Sequence, residues 1–234
     1  MVFSAVAFDL DGTLYPNFQL FSRLVPFLLK EHRLLRAMDK ARRQLRNSGE
    51  YGTDFYDIQA RLMAEILGES AEKVKDRTER LIYRGWEPFF KKIKLFPHVI
   101  ETLDAFRNSG VKMGLLSDFP PEIKLKNLNI AGYWDAVVCS ECTGCLKPDA
   151  QPFLELARKM ALPPEEILYV GNSVSYDVEG ARRAGMKTAL IRRRIRVMPA
   201  SGGRLRFRRK KQRADMIPDF IFHDYRQLRD YVLG

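Results

Sequence analysis

Phe8-Asp9-Leu10-Asp11-Gly12-Thr13 decides how the rest of the chain is read. It ends an apolar, β-prone run over residues 2–8, the kind that becomes a buried parallel strand. A strand alternates its side chains, so Asp9 and Asp11 should leave the backbone on one side while Leu10 turns away. Two close carboxylates repel, and the repulsion is relieved by protonating one of them or by a cation between them. Either outcome suits chemistry at phosphorus. One carboxylate remains a nucleophile. Its neighbour, held partly protonated, gives a proton to a leaving oxygen and later takes one from water. Gly12 permits a tight turn that brings backbone N–H groups toward a phosphate. Taken alone, the same residues would also serve as a plain turn at a strand end.

The chain beyond supplies a context. Val99, Ile100, Leu103 and Phe106 mark one helical face, which Asn108-Ser109-Gly110 stops. Strands are predicted at 111–116, 136–139, 167–170, 188–191 and 220–222. Helices are predicted at 121–128, 150–161 and 177–185, with another after the last strand. This alternation predicts an α/β fold, a doubly wound, Rossmann-like parallel sheet covered on both faces. Chemistry in such sheets gathers at the carboxyl ends of the strands, where Asp9 and Asp11 lie. Residues 16–92 break the rhythm. They show helical patterns (Phe18 to Leu35, Phe55-Ile58-Leu62-Ile66, Val74 to Leu81) and no strand. The predicted organisation is a core of 1–15 and 93–234 with a small all-helical cap at 16–92, and a basic loop inserted at 192–214.

Four stretches in order along the core resemble the motifs of the haloacid dehalogenase (HAD) superfamily. The first motif, Asp-x-Asp-x-Thr, is matched by Asp9, Asp11 and Thr13. The second, a Ser or Thr ending a later strand, is matched by Ser117, beside Asp118. The third is matched by Lys147 in Lys147-Pro148-Asp149. The fourth, an acidic patch after a further strand, is matched by Val170 to Gly185 with Asn172 and Asp177. The resemblance implies catalysis by Asp9, Asp11, Ser117 and Lys147. It also implies substrate binding by Thr13, Ser117, Asp118 and Lys147, and Mg2+ held by Asp9, Asp11, Asn172 and Asp177. Each role has a physical basis: Ser117 offers a hydroxyl donor to a phosphate oxygen, and Lys147 a fixed positive charge. Asp177, where a helix is expected to open, would also suit an N-terminal capping position. Asn172 stands where the family usually has Asp; it keeps an oxygen ligand and loses a charge, which weakens a cation site.

The superfamily contains phosphatases, mutases, phosphonatases and dehalogenases. Its dehalogenases lack the second acid of the first motif, because a departing halide needs no proton. Asp11 therefore favours phosphoryl transfer over dehalogenation, with hydrolysis through an aspartyl-phosphate on Asp9 as the default and a phosphomutase or dehalogenase as lesser alternatives. A cap inserted after the first motif implies a small phosphorylated metabolite as substrate: a sugar phosphate, phosphoglycolate or a nucleoside monophosphate.

Net charge is +11, but residues 192–213 hold eleven Lys or Arg and no acid, which leaves 29 basic against 29 acidic residues elsewhere. The body is neutral, and a nucleic acid or acidic partner is an alternative only through that segment, where Phe207 alone is aromatic. Cys139, Cys142 and Cys145 form Cys-x2-Cys-x2-Cys. Tetrahedral zinc needs a fourth ligand, from His98 or His223 at a distance, so reduced incidental thiols are the expectation. No apolar run approaches a membrane span. The first residues carry no basic leader, so a cytoplasmic protein is expected.

Overall fold

The computed structural model describes residues 3–48, 54–192 and 216–234. Among the described residues six strands form one sheet: β1 (Ala5–Phe8), β2 (Lys112–Ser117), β3 (Ala136–Cys139), β4 (Ile167–Gly171), β5 (Lys187–Ile191) and β6 (Phe220–Phe222). Their spatial order is β3-β2-β1-β4-β5-β6 and every pairing is parallel. This is the doubly wound arrangement the alternation predicts.

Among the described residues ten α-helices accompany them. They are α1 (Asn17–Lys30), α2 (His32–Ser48), α3 (Phe55–Leu67), α4 (Ala71–Thr78), α5 (Glu87–Phe90), α6 (Val99–Asn108), α7 (Glu122–Asn127), α8 (Gln151–Met160), α9 (Glu179–Arg183) and α10 (Tyr225–Leu233). β1 is buried at all four positions, and its alternation feeds two cores. Val6 and Phe8 pack with Leu103 and Phe106 of α6 and with Leu228 and Val232 of α10. Ala5 and Ala7 face the other layer, with Phe153, Leu156 and Met160 of α8 and Ala181 of α9. Each large side chain so buried stabilises the fold by roughly 1.5–3 kcal/mol, which is why this apolar strand lies mid-sheet.

The helical pattern expected from Phe18 to Leu35 is two helices with a break at Glu31, the second running on to residue 48. The break has a packing cause. Leu20 and Leu24 of α1 join the sheet's core, whereas Leu34, Ala37, Met38 and Ala41 of α2 build a separate cluster with Met63 and Val74. One straight helix cannot present both faces. The polar length of α2 hid its continuation from a hydrophobic reading.

The helix expected at 177–185 begins earlier, as a π-helical turn Val174–Val178 followed by α9. Ser173, not Asp177, caps it, its side chain accepting from the Tyr176 amide. Asp177 therefore lies inside the first turn and is buried. Arg192 is described, its amide donating to the Phe222 carbonyl at 2.8 Å. The remainder of the basic segment through 214 lies outside the described residues. Among the described residues no helix is long and apolar enough to cross a membrane. Cys139, Cys142 and Cys145 are thiols without a disulfide.

Candidate active site

The chain leaves β1 toward β2 on one side and returns through β4 on the other, so the strand order reverses at β1. The crevice at that reversal lies beyond the carboxyl ends of β1, β2 and β4. Phe8 pairs with Leu115 and with Val170, which brings Asp9, Ser117 and Gly171 to one edge. The Asp9 amide donates to the Val170 carbonyl at 2.9 Å and so fixes Asp9 against β4. β1 ends at Phe8, so Asp9 to Asp11 lie in the turn that follows it. Gly12 turns the loop at φ 87°, and a Cβ there would lie 1.9 Å from Asn172 Nδ2.

Asp9 is buried and clamped by two donors. Lys147 Nζ donates to its Oδ1 at 2.6 Å and Thr13 Oγ1 to its Oδ2 at 2.6 Å. Lys147 also donates to Asp177 Oδ1 at 2.8 Å and to the Tyr169 hydroxyl at 3.4 Å. Burial pushes the Asp9 carboxyl up to about 7, with Asp177 adding to the rise while Lys147 and Thr13 oppose it. Burial works against the Lys147 charge, but Asp177 and Asp9 hold its pKa well above the ordinary lysine value. Two carboxylates thus share one ammonium in a dry setting, a cluster short of positive charge.

Ser117, at the end of β2, is buried. Its Oγ accepts from the Phe119 amide at 3.3 Å, which leaves the hydroxyl proton to be donated. Asp11 meets a different set from Asp9. Lys124 Nζ of α7 donates to its Oδ2 at 2.6 Å, and the Tyr15 hydroxyl donates to its Oδ1. The repulsion expected between the two acids is met here by a lysine for each. Asp118 accepts from Arg46 Nη2 of α2 at 2.5 Å and from the Lys147 amide at 3.3 Å. Burial would raise its pKa, but Lys147, Arg46 and Arg42 hold it below the ordinary carboxylate value. Asp177 Oδ2 accepts from the Asn172 and Ser173 amides at 3.0 and 2.9 Å. Gly171 leaves room for this, since a Cβ there would lie 2.3 Å from Asp177 Cβ.

Tyr15, Lys124, Tyr169, Arg42 and Arg46 escaped the sequence reading. The partners of the last four are supplied by the fold: Lys124 meets an acid 113 positions away, and no local pattern marks such a lysine. Arg42 of α2 donates to Glu141 Oε2 at 2.5 Å and Arg46 donates to the Lys147 carbonyl at 2.8 Å. These arginines tie the helical residues to the catalytic edge. Tyr15 alone had a local signal, four residues from its partner Asp11.

Among the described residues no three His, Cys, Asp or Glu side chains gather as a metal cluster. The donors at the site are of another kind. The Asn172 side-chain amide donates from Nδ2 to the Asp11 main-chain carbonyl at 3.1 Å, which sets this side chain beside the Asp9–Asp11 turn. A carboxylate, a main-chain carbonyl and an amide oxygen are hard ligands of the type Mg2+ takes. Asp9 is the buried carboxylate of that set, next to the Asp11 carbonyl. The residues therefore fit a divalent cation.

The doubly wound sheet agrees with the comparisons to known proteins. A family model described as haloacid dehalogenase-like hydrolase matches residues 3–185, and a second HAD-like hydrolase model matches 144–227. The chain belongs to the haloacid dehalogenase-like hydrolases. It is 30% identical, over 97% of its length and 96% of the relative's, to a glyceraldehyde 3-phosphate phosphatase of Methanopyrus kandleri. It is also 30% identical to a phosphoglycolate phosphatase of Escherichia coli, over 77% of each chain. A HAD phosphatase structure from Thermococcus onnurineus superposes with a TM-score of 0.58 at 22% identity, covering 98% and 97% of the two chains. An L-2-haloacid dehalogenase of Xanthobacter autotrophicus gives 0.66 at 17% identity, over 99% of each; such likenesses speak for the fold alone. Within the family the protein is a phosphatase, a phosphoric monoester hydrolase.

Proposed function

We propose that the protein hydrolyses a small phosphorylated metabolite in the cytoplasm by attack of Asp9 on phosphorus. The observation that carries this is the Asp9 carboxylate, buried at the switch point and oriented through both oxygens by Lys147 and Thr13. In this reading the core is 1–15 and 93–234, and residues 16–92 form a cap over the crevice. Arg42 and Arg46 support that reading by reaching from α2 to Glu141, Asp118 and the Lys147 carbonyl.

Asp9 forms the bond to phosphorus as the ester P–O bond breaks, which gives an aspartyl-phosphate and an alcohol. Asp11 supplies the proton to the departing oxygen, then takes one from the water that hydrolyses the acyl phosphate. Ser117 and Lys147 donate to the phosphoryl oxygens, where negative charge must be stabilised in water's absence. Asp118, with both oxygens engaged, acts by positioning Lys147 and Arg46. Mg2+, held by Asp9, the Asp11 carbonyl and Asn172, would supply charge neutralisation at the phosphoryl group. Asp177 then serves chiefly to hold Lys147 and the loop of Asn172.

Hydrolysis of p-nitrophenyl phosphate with Mg2+ tests the proposal. Wild type is expected to turn over and Asp9→Asn to fall to background. An unchanged rate in Asp9→Asn would remove Asp9 from the chemistry.

A further inference from the structure

The names of the relatives point to esters of two- or three-carbon acids and aldehydes, yet the cavity beside Asp11 has a different character. It holds about 790 Å³, within the range of about 300–1,000 Å³ that takes a drug-sized molecule. Asp11 and Lys124 line it together with six aromatic side chains, Phe21, Tyr56, Tyr83, Trp86, Phe90 and Phe119. Phe21, Tyr83, Trp86 and Phe90 come from the helical residues, while Phe119 stands two positions after Ser117 of β2, so the cavity lies between the two parts of the chain.

Its charges are as telling as its walls. Each of the two cations that line it faces an acid: the mostly buried Lys124 meets Asp11 at 2.6 Å, and Arg84, on the solvent side, meets Glu79 at 2.9 Å. Glu87 and Glu122 also line it, and neither has an ion-pair partner among the described residues. A carboxylate or second phosphate on the substrate would meet unpaired acid and apolar surface, losing its hydration without a counter-charge. An uncharged ring would bury apolar area against the aromatic walls. Asp11 is the proposed donor to the leaving oxygen, so the alcohol half of the ester lies on this side of the phosphate.

We propose that the site takes phosphate monoesters whose alcohol half is bulky, ring-bearing and free of negative charge. This rests on the phosphatase reading above and names the substrate class of the same site. Phe21 and Trp86 bind the ring, and Glu87 and Glu122 turn away anionic esters.

The test compares 2-phenylethyl phosphate, ethyl phosphate and phosphoglycolate as substrates of the full chain with Mg2+. The first two have alkyl leaving groups of similar basicity, so they differ in the ring alone. kcat/KM is expected to be at least about tenfold higher for the phenylethyl ester, the scale of burying one ring's apolar area. Phe21 is 46% exposed, so Phe21→Ala leaves the fold intact; it should lower kcat/KM several-fold for the ring ester and not for ethyl phosphate. Glu87→Gln with Glu122→Gln should raise kcat/KM for phosphoglycolate several-fold and leave the ring ester unmoved. Phosphoglycolate hydrolysed as well as or better than the ring ester, with activity lost in Asp9→Asn, overturns this inference and leaves the phosphatase reading standing. Hydrolysis of none of the three, or rates unaltered by Asp9→Asn, overturns both.

Discussion

Asp9→Asn should make the cation-free protein more stable while abolishing its activity. Asp9 has a carboxyl pKa raised from 3.8 to about 7, chiefly by burial. The native state then binds the proton more tightly than the unfolded chain, so the carboxyl's contribution to stability falls as pH rises between about 4 and 7 and is flat above. Asparagine has the shape of the protonated acid and does not titrate. The stability difference between Asp9→Asn and wild type should therefore be near zero at the acid end. It should grow by about 1.4 kcal/mol per pH unit and level off near 4 kcal/mol above about pH 7. Urea unfolding of both proteins in a chelator, followed by circular dichroism across that range, measures the difference, in which the titrations of groups remote from Asp9, Asp177 and Lys147 cancel. Saturating Mg2+ should shrink the gap, because a cation favours the ionised form. A difference that does not move with pH, or a wild type more stable than Asp9→Asn above neutrality, would refute the claim that burial leaves Asp9 short of positive charge.

Lys147→Met strands Asp9 and Asp177 as buried acids facing one another, and should cost about 3–5 kcal/mol at neutral pH by denaturant melts. Its kcat/KM should fall at least about a hundredfold, and adding Asp9→Asn should restore stability without activity. Arg42→Met leaves Glu141 buried without its 2.5 Å partner, for a loss of about 3 kcal/mol. Burial raises the Glu141 pKa, so that loss should shrink toward acid pH as the stranded carboxyl protonates, which a pH series of melts reads directly. Asp11→Asn should lower kcat by about 10²–10⁴-fold on alkyl phosphates, and far less on p-nitrophenyl phosphate, whose leaving group needs no proton; equal losses on both would remove the general acid. Gly12→Ala, at φ 87° and with its Cβ 1.9 Å from Asn172 Nδ2, should cost about 1–2 kcal/mol of backbone strain and weaken Mg2+ binding measured by calorimetry.

Much of the fold is legible in the sequence. The six strands and the alternation that pairs them are local signals: short apolar runs bounded by Gly, Pro and polar turns. Asp9, Ser117 and Asn172 could be placed because each ends or follows a strand, and parallel strands put their carboxyl ends on one edge. Errors fell where packing overrides pattern. The helix from Phe18 bends at Glu31 because its two halves serve different cores, and Asp177 sits inside a turn that Ser173 caps.

The sequence by itself determined which chemistry-bearing residues exist and at what strand ends they stand, because those signals are carried by neighbours a few positions apart. Only the tertiary structure decided which partner each one meets. Lys147 lies between Asp9 and Asp177, 138 and 30 positions away, and Lys124 neutralises Asp11 across 113. Charge, burial and the aromatic cavity are properties of such long-range meetings. They set the pKa of Asp9 and the kind of alcohol the crevice can hold, and no spacing within the chain encodes them.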